Sequence, residues 1–173
     1  MKVIRNYLYN VGYQVLAIIV PLITSAYVSR VLRPEGVGAN AFTNSIIQYF
    51  ILFASMGIGY YGNRQIAYVR DNRPKMAKTF WEIQIVKTIM TLVSIIAFEI
   101  FLIFYTRQFD YMVAQSLNLI AVAFDISWFY EGVENFKVTV LKNSLVKIVS
   151  MIAIFLFIKG PYDVTLYIVV LAF

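Results

Sequence analysis

Five stretches of about twenty residues or more, roughly 6–29, 39–61, 80–105, 111–130 and 140–158, run almost free of charge and are separated only by short polar links. At a rise of about 1.5 Å per residue, about twenty helical residues cross the roughly 30 Å hydrocarbon layer of a bilayer. A sixth run, 164–173, holds about half of what a crossing needs. The fold expected is an all-α polytopic membrane protein with five complete transmembrane helices and the start of a sixth.

Composition supports this reading and removes others. Hydrophobic residues make up 61% and charged residues 14%, against about a quarter charged in soluble domains. Cysteine and histidine are both absent. That excludes disulfides, thiolate metal sites, Ser-His-Asp and Cys-His nucleophile systems and imidazole bases. The net charge of +6 is spread over the links between apolar runs, which speaks for membrane topology and against a nucleic-acid partner, whose basic residues cluster on one patch. No link is long enough to house a catalytic or cofactor-binding domain, so no cofactor is expected.

An apolar helix that stops in mid-bilayer leaves backbone groups and a carboxylate in hydrocarbon. The expectation is that 1–173 is a truncated copy or the front part, an N-terminal transmembrane portion, of a longer protein, the alternative being a complete five-span protein with an interfacial tail. A cleaved signal peptide competes for the first segment, but its length and the spans that follow argue against cleavage. Cytoplasmic links are enriched in Lys and Arg. With the amino terminus inside, the inner links and flanks hold Lys2, Arg5, Arg64, Arg70, Arg73, Lys75, Lys78, Lys137, Lys142 and Lys147, and the outer ones Arg30, Arg33, Arg107 and Lys159. An inside amino terminus is expected, with the basic stretch from Asn63 to Lys78 as a cytoplasmic connection.

Polar residues recur at four-residue spacing inside the first two spans: Asn6, Asn10, Gln14, then Pro21, Ser25, Ser29; and Asn40, Asn44, Gln48, then Ser55, Gly59, Asn63. Residues four apart share a helix face. Each stripe serves either close helix packing or the wall of a hydrated cavity. Ionisable residues within spans carry more weight, because a charge near the bilayer centre costs at least about 2.5 kcal/mol and faces a cavity or a partner. Lys87 and Asp125 are the clearest and lie at depths that allow them to pair. The plainer readings are snorkelling for Lys87 and interfacial solvation for Asp125. Arg30, at the outer end of the first span, is either an anchor or a ligand contact.

Two patches carry a family resemblance. Tyr27-Val28-Ser29-Arg30-Val31-Leu32-Arg33-Pro34-Glu35-Gly36-Val37-Gly38, with Gln48-Tyr49-Phe50 and Gly57-Ile58-Gly59-Tyr60-Tyr61-Gly62-Asn63-Arg64-Gln65-Ile66-Ala67, resembles the start of bacterial polysaccharide flippases. Asp125-Ile126-Ser127-Trp128-Phe129-Tyr130-Glu131-Gly132-Val133-Glu134-Asn135-Phe136-Lys137 is similar to that family's segment at the end of span four. These are the O-antigen, capsule and exopolysaccharide repeat-unit translocases of the multidrug/oligosaccharidyl-lipid/polysaccharide exporter superfamily. The resemblance implies twelve to fourteen helices in two lobes, alternating access, and residence in the bacterial cytoplasmic membrane. It also implies an undecaprenyl-diphosphate-linked oligosaccharide as substrate, with membrane lipids and the polysaccharide polymerase and chain-length machinery as partners. Under it, Arg30, Arg64 and Lys87 are candidate phosphate contacts, Asn44 and Gln48 candidate sugar contacts, and Asp125 the candidate coupling carboxylate.

A drug or cation exporter of the same superfamily is the rival transport reading, and would lean on membrane carboxylates more than on cations. An inactive truncated remnant is another. A membrane glycosyltransferase or polymerase needs catalytic carboxylates and a larger water-facing loop, and neither is apparent.

Overall fold

The computed structural model describes residues 2–105 and 107–172. Its elements are α1 (Lys2–Val31), α2 (Arg33–Ser55), α3 (Ile58–Val69), α4 (Arg73–Phe104), α5 (Phe109–Phe124), α6 (Ser127–Gly132), α7 (Phe136–Phe157) and α8 (Val164–Ala172). No strand occurs among the described residues, and five segments are long and apolar enough to cross a membrane. The chain is an all-α polytopic membrane protein.

Two of the five spans are broken. The second consists of α2 and α3, interrupted at Met56 and Gly57, both in left-handed backbone (φ 33° and 73°). The fourth consists of α5 and α6, interrupted at Asp125 and Ile126. Apolar length and helical periodicity predict both as continuous, because neither registers a one- or two-residue interruption.

The links are shorter than expected. The turn between the first two spans is little more than Leu32: Arg33 adopts φ 60° and Pro34 already lies in the first turn of α2, where its missing N–H costs nothing. The connection from Asn63 to Lys78 is mostly helix. Residues 63–69 complete α3, and α4 begins at Arg73, with the Asn72 side chain accepting from the Lys75 N–H at 3.1 Å. Lys142 and Lys147, counted with the inner link, lie within α7. Between α7 and α8, the Asp163 carboxylate accepts from the Lys159 and Gly160 N–H groups, both at 2.8 Å, and closes the turn.

The long basic stretch and the amino terminus share one end of the bundle, called the basic end below. Apolar packing falls into three clusters. Val28 and Leu32 of α1 meet Ala114 of α5, Ile154 and Ile158 at the end of α7, and Val164 and Ile168 of α8 at the opposite end. In the middle, Ile47 and Ala54 of α2 pack with Phe98 and Leu102 of α4 and Met112 and Leu119 of α5. At the basic end, Ile58 and Ile66 of α3, Ile83 of α4 and Trp128 of α6 form the third. Much of α1, α4 and α7 is apolar and exposed, including Ile18, Leu22, Ile89, Leu92, Ile96, Leu145 and Ile152, as befits surfaces bathed in acyl chains.

Candidate functional site

The break in the fourth span follows from its sequence. The Asp125 carboxylate accepts from both the N–H and the hydroxyl of Ser127, at 3.2 and 2.5 Å. Such local side-chain bonds offer the backbone an alternative to continuing the helix. The interruption frees carbonyls that hydrocarbon cannot satisfy, and α4 supplies the donors. Gln84 Nε2 donates to the Ala123 carbonyl at 2.8 Å, and the Lys87 ammonium donates to the Asp125 carbonyl. Lys87 is buried, 5% exposed, so its stem does not snorkel to the surface.

Lys87 and Asp125 are therefore neighbours, but Lys87 bonds the backbone of Asp125. The carboxylate pairs instead with Lys142 Nζ at 3.3 Å, both side chains being half exposed. Lys142 lies within the fifth span as the sequence bounds it, but grouping it with the inner-link cations gives no reason to pair it with Asp125. The signal available was an Asp in an apolar run with Ser two residues on, a turn pattern inside a span.

Asn44 and Gln48 lie together on the open side of α2, with Gln48 Nε2 donating to Asn44 Oδ1 at 3.3 Å. With Ser45, Tyr49, Leu52 and Ser55 they line a groove of about 570 Å³. Tyr49 also borders a second groove of about 300 Å³, lined by Phe50, Phe53, Val93, Ser94 and Ala97. Asn40, the first member of the same stripe, is turned to other use. Gln115 of α5, which sequence reasoning missed, donates to Thr43 Oγ1 at 3.2 Å and Asn40 Oδ1 at 3.4 Å, while Asn118 Nδ2 donates to its Oε1 at 2.8 Å. Gln115 and Thr43 are fully buried, and their bonds bind α2 to α5 as polar side chains join helices in lipid.

Arg30 is exposed in the last turn of α1, at the end opposite the basic end. Arg64 is exposed on α3, on the basic side of the Met56–Gly57 break. The candidates thus do not converge. Lys87 and Asp125 meet at the fourth-span break, Asn44 and Gln48 share a groove, and the two arginines lie at different ends. On α1, Ser25 and Ser29 are exposed and bond back to their own helix, donating to the Leu22 and Ala26 carbonyls; Asn6 and Asn10 fall outside the side chains described.

The two sequence patches pack on each other. Gly62 lies against the indole of Trp128, and Gly132 against Ile66 and the Asn63 carbonyl. Asn63 Nδ2 donates to Glu131 Oε2 at 3.4 Å, and Arg70 meets Glu134 at 2.5 Å. The hydrogen bond and charge of Glu134 raise the Arg70 pKa further above its ordinary value. Phe80 of α4 stacks on Trp128, with centroids 5.5 Å apart and an interplanar angle of 19°.

The profile of a family described as "Polysaccharide biosynthesis protein" matches residues 3–173. A protein of Escherichia coli (strain K12) named "Putative O-antigen transporter" is 25% identical over 169 residues, covering 94% of this chain and 40% of that protein. One of the same name from Shigella dysenteriae is 22% identical over 147 residues, covering 83% of this chain and 37% of its own length. The chain spans about 40% of the length of the curated relatives it matches. No solved structure matches significantly.

Proposed function

Because the chain belongs to the polysaccharide biosynthesis protein family, we propose that it serves as one lobe of a transporter that carries a lipid-linked oligosaccharide across the bacterial cytoplasmic membrane. The amino terminus is inside, and the lobe exposes its polar surfaces alternately to the two sides. The substrate is an oligosaccharide on an isoprenoid diphosphate. Its head group cannot cross hydrocarbon unaided, since each desolvated charge and hydroxyl loses its hydrogen bonds.

The observation that carries this reading is the pair of grooves sharing Tyr49. One is lined by amides and hydroxyls (Asn44, Ser45, Gln48, Ser55), and its neighbour is almost wholly apolar (Phe50, Phe53, Val93, Ala97). An amphiphile with a sugar head and an isoprenoid tail matches that juxtaposition. In this reading Asn44 and Gln48 receive sugar hydroxyls, Arg64 meets the diphosphate on the loading side, and Arg30 acts near the exit. Asp125 is the carboxylate through which ion coupling acts, and Lys87 holds it in place through its backbone.

The test is equilibrium binding of a fluorescent polyprenyl-diphosphate oligosaccharide to the protein in nanodiscs. Saturable binding is expected, weakened at least several-fold by the double substitution Asn44→Ala and Gln48→Ala. Binding of lipophilic cations in place of the glycolipid would replace this reading with that of a cation exporter.

A further inference from the structure

We propose that α3 and α6 form one rigid gate at the basic end of the lobe, hinged at Met56–Gly57 and Asp125–Ile126 and latched by Lys87 and Lys142 on Asp125. This goes beyond the transport reading and does not depend on what the substrate is.

The two breaks lie at one depth. Ser94 Oγ of α4 donates to the Phe50 carbonyl of α2 at 2.7 Å, which sets the register of the two antiparallel helices. From Phe50 to Met56 the chain descends about 9 Å, and from Ser94 to Lys87 about 10 Å, at the helical rise. Lys87 in turn contacts the break in the fourth span. Met56, Lys87 and Asp125 therefore mark one plane across the bundle.

Packing divides at that plane. On the far side α2 and α5 are joined through Gln115 and the middle cluster, and on the basic side α3 and α6 are joined through Gly62, Trp128, Asn63 and Glu131. Between the two apolar clusters α4 turns buried polar groups inward at Lys87, Thr91 and Ser94. Helix α4 is unbroken past both joints and serves as the fixed post. The two half-helices pack on each other and on the basic half of α4 through Phe80 and Ile83, while the breaks part them from α2 and α5, the form expected of a body that moves as one against a fixed post.

Cysteine is absent from the chain, so paired spin labels need no background substitutions. In proteoliposomes one label pair at Tyr68→Cys on α3 and Glu134→Cys, two residues past the end of α6, reports on the gate itself. A second pair at Tyr68→Cys and Leu141→Cys reports between the gate and α7; all three native side chains are exposed. Pulsed electron–electron distance measurements are expected to give one narrow intra-gate distance. The gate-to-α7 distance is expected to show two populations whose ratio shifts with Lys142→Gln and with Asp125→Asn. An intra-gate distance that moves along with the other, or a gate-to-α7 distance unchanged by either substitution, overturns the proposal. Neither reading depends on transport. Lys142 is half exposed, so its replacement is expected to leave the fold intact.

Discussion

Gly62 lies so close to the indole of Trp128 that a Cβ added to it would stand 2.5 Å from Trp128 Cε3. The ring cannot retreat freely, because Phe80 stacks on it and Phe129 packs edge-on against Phe80. This contact joins the half-helices on the basic side of the two breaks.

Gly62→Ala is expected to lower stability by about 1–3 kcal/mol, the usual cost of overpacking a filled core. Gly59→Ala, whose Cβ would meet nothing within 4 Å, is expected to leave stability unchanged. Thermal midpoints of the two variants in a mild detergent check the contrast, and equal midpoints would refute the packing argument.

Gly57→Ala tests the second-span joint. The added Cβ has open space around it, but the backbone sits at φ 73°, where a side chain costs roughly 1–2 kcal/mol. A loss of about that size, with normal membrane insertion, is the expected result of a melting comparison. Tolerance without cost would mean that the joint relaxes freely.

Gln115→Leu removes the donor that binds Thr43 and Asn40 and the acceptor used by Asn118. Interhelical polar bonds in membranes average about 0.6 kcal/mol and reach about 1.7 kcal/mol. A loss of about 1 kcal/mol is expected, confined to the α2–α5 contact. Hydrogen exchange should show faster opening there and no change in α3 and α6.

The pair Asn44→Ala and Gln48→Ala alters only open groove walls, since these two amides bond to each other and line the 570 Å³ groove. Stability should hold within about 0.5 kcal/mol, as for surface changes generally, while glycolipid affinity falls. A fall in the melting midpoint of the size expected for Gln115→Leu would instead assign them a packing role.

The sequence by itself determined the number of spans and the family. Uninterrupted apolar length is a one-dimensional property set by bilayer thickness, and the motifs around Gly62 and Trp128 are read without knowing what they touch. It also singled out Lys87 and Asp125, because charge within an apolar run is conspicuous wherever the helix is placed. Only the tertiary structure decided how these groups are used. Lys87 bonds a backbone carbonyl that exists as a free acceptor only because the fourth span breaks beside it. Asp125 pairs with a lysine on a helix whose approach no spacing rule predicts. The amide stripe of the second span likewise splits, Asn40 going to Gln115 across the α2–α5 contact and Asn44 and Gln48 to the open groove. Four-residue spacing fixes a common face along one helix, while packing against the next helix decides which part of that face is covered.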